Sequence, residues 1–315
     1  MDYDAFNGDA DGICSLIQLR LEEPRPGAML VTGVKRDIRL LERIDARAGD
    51  RVTVLDISMA RNAAPLRRIL GQGAEVFYAD HHDPGEVPEH SALTARIVTR
   101  GEMCTAAIVD AWLDGARREW AVVGAYGDNM DAMAERLGEG RDLPLAELRE
   151  LGRLVNYNAY GASLSDLLYH PDALFTLLLD MQDPREAARS VVIERLREGY
   201  ASDLADMEAA HVVRQGAGVY AAVLSNTAAS RRISGIWAND LASAHPGRAH
   251  AVLTHQGDSY QVSLRAPLAT RRGAIELAGM FGGGGRAAAA GIDALPHSEL
   301  DRFLEAFDAA FPSPA

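Results

Sequence analysis

The chain has 315 residues, of which 48% are hydrophobic and 24% charged, and its formal net charge is −13. That length suffices for two domains, and the acidic balance argues against a protein that grips long duplex nucleic acid by phosphate neutralisation. There is neither a charged start running into an apolar core nor a run of about 18 apolar residues, so no membrane partner is expected and a cytoplasmic location is. The acidity is uneven: residues 1–215 carry 24 basic and 37 acidic side chains, and residues 216–315 carry eight of each. A small anionic substrate held by a few arginines remains compatible with this. Cys14 and Cys104 stand apart in apolar helical contexts and read as reduced core residues. The single lysine, Lys35, reads as a consequence of GC-rich codon usage.

From the amino end, Tyr3 to Phe6 predicts a strand that runs into Asn7-Gly8-Asp9-Ala10-Asp11-Gly12, and Ile13 to Leu21 predicts a helix. Asp9 and Asp11 then share a strand-to-helix turn. A calcium loop is the rival reading, but its twelfth position is Gln18 where a bidentate Glu is needed, and no helix precedes it. Ala28 to Thr32 predicts a second strand, Ile38 to Ala48 a helix, and Arg51 to Leu55 a third strand ending at Asp56. Helix Ala60 to Leu70 leads to strand Glu75 to Ala79, whose carboxyl end is Asp80-His81-His82. Strands alternating with helices predict an α/β fold with a parallel doubly wound sheet, in which ligands bind outside the carboxyl ends of the strands.

Carboxylate beside imidazole suits a divalent cation. The bland alternatives are a polar loop for Asp80-His81-His82 and helix caps for the single acids. With three strand ends all carrying acids, capping is a poor account of the set. Helix Thr105 to Leu113 and the apolar run Trp120 to Tyr126 then deliver Gly127-Asp128-Asn129, which completes the acids that a pair of metal ions needs.

In order and spacing, Asn7-Gly8-Asp9-Ala10-Asp11-Gly12, Leu55-Asp56, Asp80-His81-His82 and Gly127-Asp128-Asn129 resemble the four motifs of the DHH phosphoesterase superfamily. The superfamily includes RecJ-type exonucleases, oligoribonucleases that act on pAp, cyclic-dinucleotide phosphodiesterases and family II pyrophosphatases. The resemblance implies two Mn²⁺ ions, with Mg²⁺ or Co²⁺ as alternatives. It assigns Asp56 as the bridging ligand, Asp9 to the first ion, Asp11, His81 and Asp128 to the second, and His82 to the scissile phosphate. The family usually places a metal-binding His four residues before the first Asp, where this chain has Ala5; the amide oxygen of Asn7 is a further candidate ligand.

Residues 142–214 read as a charged helical connector between a catalytic domain, 1–141, and a smaller mixed α/β domain, 215–315. The latter is predicted as strand Val219 to Leu224, helix Ile233 to Ala244, strands Ala249 to Thr254 and Tyr260 to Leu264, and helix Gly273 to Met280, followed by the run Gly282 to Gly285 and Arg286. A flexible linker is the bland reading of that run, but it sits between Phe281 and four alanines and reads as packed. Successive glycine N–H groups can form an anion-binding nest, and Arg286 adds a forked donor. Val262-Ser263-Leu264-Arg265 followed by the glycines resembles the DHH-associated C-terminal domain, with Arg286 standing where a His is common.

The expectation is a metal-dependent phosphohydrolase for a small nucleotide or short oligonucleotide phosphoester of the pAp, nano-RNA or cyclic-dinucleotide kind. His82 and Asp56 would serve catalysis, and Arg265, Gly283, Gly284, Gly285 and Arg286 would hold a phosphate distant from the reaction. A polyphosphate or other phosphoanhydride hydrolase is the enzymatic alternative, and a non-catalytic nucleotide-binding protein is the alternative of another class. A homodimer is compatible with either.

Overall fold

Strand β1, Asp2–Phe6, is buried from Tyr3 onward and feeds helix α1, Ala10–Glu22. Then follow β2 (Met29–Val31), β3 (Arg51–Leu55), α2 (Ala63–Gly71), β4 (Glu75–Asp80) and β5 (Leu93–Ile97). In this computed structural model, which describes residues 1–99, 103–207 and 210–312, these five strands form one sheet of order β2-β1-β3-β4-β5. Every pairing in it is parallel.

Alternation along the strands divides the core. Tyr3, Ala5, Val52, Val54, Val76 and Tyr78 pack on one face against Leu40, Leu41, Leu66 and Ile69. From the other face, Asp4 and Thr53 receive the Arg20 guanidinium of α1, with Arg20 Nη2 at 2.6 Å from Asp4 Oδ1 and 2.8 Å from Thr53 Oγ1. Both partners of that ion pair are almost fully buried, so removing either would strand a charge at a cost of about 3–5 kcal/mol. The sheet is thus wound on both faces, as the alternating pattern predicts.

One predicted element is corrected. Ile38 to Ala48 is not an α-helix; only a short 3₁₀ turn, Leu40–Arg43, forms, and Ile44 is extended. Leu40, Leu41, Ile44 and Ala46 are all buried, a spacing that one helical face cannot provide. Side chains satisfy the backbone in place of a helical ladder. Asn62 Oδ1 accepts from Leu41 N and its amide donates to Ile38 O, while Arg68 donates to Leu41 O and Ile44 O. Strand β5, with a half-exposed pattern at the sheet edge, is an addition to the predicted elements.

Helices α3 (Thr105–Trp112), α4 (Arg118–Gly127), α5 (Asp131–Gly138), α6 (Leu145–Ala159), α7 (Pro171–Met181), α8 (Pro184–Ala188) and α9 (Val191–Asp206) follow. Gly127 permits the close approach of α4 to α1 and α6: a Cβ there would lie 2.2 Å from Ala10 Cβ and 3.0 Å from Gly152 O. Two structural units are distinguished, Met1–Gly199 and Tyr200–Ala315, and the division falls inside α9.

The second unit continues with β6 (His211–Gln215), β7 (Val219–Leu224), α10 (Ala228–Ala244), β8 (Ala249–Gln256), β9 (Ser259–Arg265), α11 (Ala274–Gly279), β10 (Gly284–Gly285), β11 (Ala289–Pro296) and α12 (Leu300–Ala310). Its mixed sheet has the order β10-β11-β9-β8-β7-β6, in which only β7 and β8 are parallel. Ala249, Ala251, Leu253, Val262 and Leu264 form a core with Leu277, Phe303 and Phe307. Among the described residues no helix is long and apolar enough to cross a membrane.

Candidate metal centre

The carboxyl ends of β1, β3 and β4 are neighbours in the first sheet, so the turns after them meet. Asp9 is the N-cap of α1, its Oδ1 accepting from Asp11 N and Gly12 N at 3.1 Å each. Asp11 caps another helix: its two oxygens accept from Thr105 N at 2.8 Å and Ala106 N at 2.7 Å, at the start of α3. Capping and clustering are therefore not alternatives here. The same carboxylates close helix ends and face one another.

Asp56 follows β3 with φ of 57°, a left-handed backbone uncommon outside glycine. Its carboxylate accepts from Thr105 Oγ1 at 3.1 Å. Thr105 thereby ties Asp11 and Asp56 together, a role with no signal in the sequence beyond its place at a helix start. His81 Nε2 lies 3.4 Å from Asp56 Oδ1, 3.9 Å from Asp128 Oδ2 and 4.0 Å from Asp11 Oδ2. Asp128 follows α4 as its C-cap residue and is partly exposed.

His82 is the more open imidazole, its side chain 41% exposed. Its Nδ1 lies 2.7 Å from Asp80 Oδ1 and 3.9 Å from Asp56 Oδ1. Asp80 is fully buried, and its Oδ2 has no hydrogen-bond partner among the described residues.

Burial and mutual repulsion set the electrostatics. Desolvation first, then Asp11 and Asp9, push the Asp56 carboxyl well above the usual carboxylate range. Desolvation and Asp128 raise Asp11 to about 6. At Asp9, desolvation works the same way, but the charge and hydrogen bond of Lys35 outweigh it and the carboxyl is held low. At His82, desolvation opposes the charged ring, yet the hydrogen bond and charge of Asp80 prevail and the imidazole is raised. Such a set of crowded acids is stabilised by a cation.

The donor chemistry fits a divalent ion. Asp11, His81 and Asp128 offer ligand atoms within 4.8 Å of one another, and so do Asp56, His81 and His82. Both groups draw on His81. Asp9 belongs to neither, and the amide of Asn7 braces the turn: its Oδ1 accepts from Asp9 N at 3.3 Å and its Nδ2 donates to Lys35 O at 3.3 Å.

In the second unit, the Arg265 guanidinium is turned onto α10, donating to Asn239 Oδ1 at 2.5 Å and Gly235 O at 3.1 Å. Gly284 and Gly285 pair with Gly291 and Ala290 as an edge strand, and Arg286 N donates to Ala289 O across the turn. A Cβ on Gly285, at φ of 143°, would lie 2.5 Å from Ala290 Cα, so close strand pairing explains that glycine. A Cβ on Gly284 would meet nothing. The Arg286 side chain is exposed and makes no hydrogen bond or ion pair among the described residues.

No protein-family model matches the sequence, and no curated protein matches it. Solved structures do share the fold. A DHH-domain protein described as a member of a family of ribosomal proteins is 12% identical, with a TM-score of 0.64 over 98% of this chain and 85% of that one. The exonuclease RecJ bound to manganese is 20% identical, with a TM-score of 0.61 over 99% and 91%. A pGpG-specific phosphodiesterase from Vibrio cholerae is 14% identical, with a TM-score of 0.55 over 97% and 96%. The chain therefore has the two-domain α/β fold of DHH-domain proteins.

Proposed function

We propose that the chain is a metal-dependent phosphohydrolase whose reaction centre is built from Asp11, Asp56, His81, His82 and Asp128. The observation that carries this is the meeting of three strand-end turns and the end of α4, which brings acids and imidazole within ligand distance. When bound there, a divalent ion such as Mn²⁺, Mg²⁺ or Co²⁺ would lower the pKa of water and neutralise phosphoryl charge. Asp11, Asp56, His81 and Asp128 are its proposed ligands. His82, more open and held by Asp80, donates a charged hydrogen bond to a phosphoryl oxygen as negative charge builds during in-line attack.

The substrate class we propose is a small nucleotide or short oligonucleotide phosphoester. The shared fold with an exonuclease and a pGpG-specific phosphodiesterase supports it, as does the acidic balance of the chain, which disfavours long duplexes. Arg286, exposed in the second unit, is proposed as a forked donor for a phosphate group. Arg265 donates to Asn239 and Gly235 of α10 and to Leu264 O, and the donors left over can add to the anchoring.

The test is a panel of pAp, short oligoribonucleotides, linear and cyclic dinucleotides and polyphosphate, each offered with Mn²⁺ and with excess chelator. Metal-dependent release of a nucleotide or phosphate from one of the nucleotides supports the reading. Cleavage of polyphosphate alone would replace it with the phosphoanhydride alternative.

A further inference from the structure

Lys35 stands just beyond β2, whose neighbour in the sheet is β1, so the turn after β2 lies beside the turn that carries Asp9 and Asp11. Its backbone is fixed from two sides, with Lys35 N donating to Ala159 O at 3.0 Å and Lys35 O accepting from the Asn7 amide. The side chain is 27% exposed. Its ammonium lies 2.5 Å from Asp9 Oδ2, 3.3 Å from Asn156 Oδ1 and 4.0 Å from Asp128 Oδ1, and 5.5 Å from the centre of the Tyr160 ring. Both oxygens of Asp9 are thereby engaged: one caps α1 and the other holds the ammonium.

Three observations agree. Asp9 takes part in neither of the two ligand groups, although Asp11, two residues on, does. Position 5, where the resemblance calls for an imidazole to hold an ion against the first acid of the motif, is an alanine with no exposed surface. The only lysine of the chain supplies a cation at that acid.

We propose that the Lys35 ammonium takes the place of one of the two metal ions, so that the chain binds a single divalent ion, at Asp11, Asp56, His81 and Asp128, with Lys35 as the second positive centre. This rests on the metal centre proposed above and fixes its count at one, where the resemblance implies two. An ammonium has three N–H donors and one charge, and it can offset Asp9 and a phosphoryl oxygen. It cannot ionise a bound water as a metal does, so the water-activating role belongs to the remaining ion alone. It also cannot be stripped by a chelator or left empty at low metal concentration. A second divalent ion at Asp9 would have to displace it against the repulsion of like charges.

The experiment is metal counting on the full chain. The protein is stripped with chelator and titrated with Mn²⁺ by calorimetry, and the bound ion is examined by electron paramagnetic resonance. The wild-type chain is expected to bind one Mn²⁺, with the spectrum of an isolated ion. Lys35→Met, which keeps the stem and removes the charge, is expected to bind a second Mn²⁺ and to show the signature of a coupled pair. Two ions and a coupled spectrum in the wild type would overturn the substitution while leaving the metal centre standing, and so would one ion in both the wild type and a folded Lys35→Met. No bound Mn²⁺ in the wild type would instead remove the metal centre itself, and the inference with it. Circular dichroism shows whether Lys35→Met is folded; a wild-type count of two decides against the substitution by itself, and a wild-type count of one is decided by the folded variant.

Discussion

Asp80 Oδ1 lies 2.7 Å from His82 Nδ1, joining a fully buried carboxylate to an imidazole that is 41% exposed. The pair fixes which face of the ring is offered outward, because the buried end of the hydrogen bond cannot move without leaving Asp80 unpaired.

Asp80→Asn should therefore lower turnover by roughly 10- to 100-fold while Mn²⁺ binding stays near that of the wild type. His82→Ala should lose at least as much rate and also keep the metal. Steady-state rates beside calorimetric Mn²⁺ titrations separate rate from binding; loss of metal in either variant would make these residues part of the ligand set.

Asp56 combines a left-handed backbone with a carboxyl crowded by Asp11 and Asp9. Asn tolerates that backbone and removes the repulsion. In the metal-free state, Asp56→Asn should melt at or above the wild-type temperature. The rise in Tm that Mn²⁺ gives the wild type, which at 100-fold excess over Kd corresponds to about 2.7 kcal/mol, should disappear in the variant. Scanning calorimetry with and without Mn²⁺ reads both, and an undiminished Mn²⁺ response would remove Asp56 from the centre.

The glycine run divides by geometry. Gly285→Ala must push against Ala290 in a backbone that L side chains avoid, so the second unit should lose roughly 1–3 kcal/mol. Gly284→Ala meets open space and should be nearly neutral in stability. Arg286→Ala should leave stability unchanged and raise KM for substrates with a distal phosphate, with little effect on a minimal chromogenic ester. Equal rises in KM for large and minimal substrates would give Arg286 a structural role only.

His250 on β8 has no exposed surface, and neither ring nitrogen has a hydrogen-bond partner among the described residues. Desolvation, with the charges of His245 and Arg248, lowers its pKa from 6.5 to about 4. The unfolded chain binds this proton at a higher pH than the folded one does. Stability is then complete above pH 6.5 and is lost as pH falls toward 4, by at most about 3 kcal/mol. His250→Leu should flatten that part of the urea-denaturation profile of the second unit; an unchanged slope would assign the acid sensitivity elsewhere.

Much of the sheet and most of the acids were legible because parallel strands end where ligands bind, and because buried strands show as short apolar runs before Asp9, Asp56 and Asp80. The Lys35–Asp9 pair was not, since it joins residues 26 apart through a strand neighbour that local pattern does not reveal. Its one sequence signal was its singularity. The double duty of Asp9 and Asp11 was hidden for the same reason: Asp11 caps a helix that begins 94 residues later. Strand β11 is hard to read because Ala289–Pro296 holds one β-branched residue, Ile292, among alanines, a glycine and a proline. Leu40 to Ala46 resembled a helix because its hydrogen-bond partners, Asn62 and Arg68, come from farther along the chain.

The most direct test of the central claim is a Mn²⁺ titration of phosphodiester hydrolysis by the chelator-stripped wild-type chain beside Asp56→Asn. The stripped wild type should show no turnover, activity should rise to saturation as Mn²⁺ is restored, and Asp56→Asn should show none at any Mn²⁺ concentration. Turnover that survives chelation, or that Asp56→Asn retains at a near-normal rate, would contradict it.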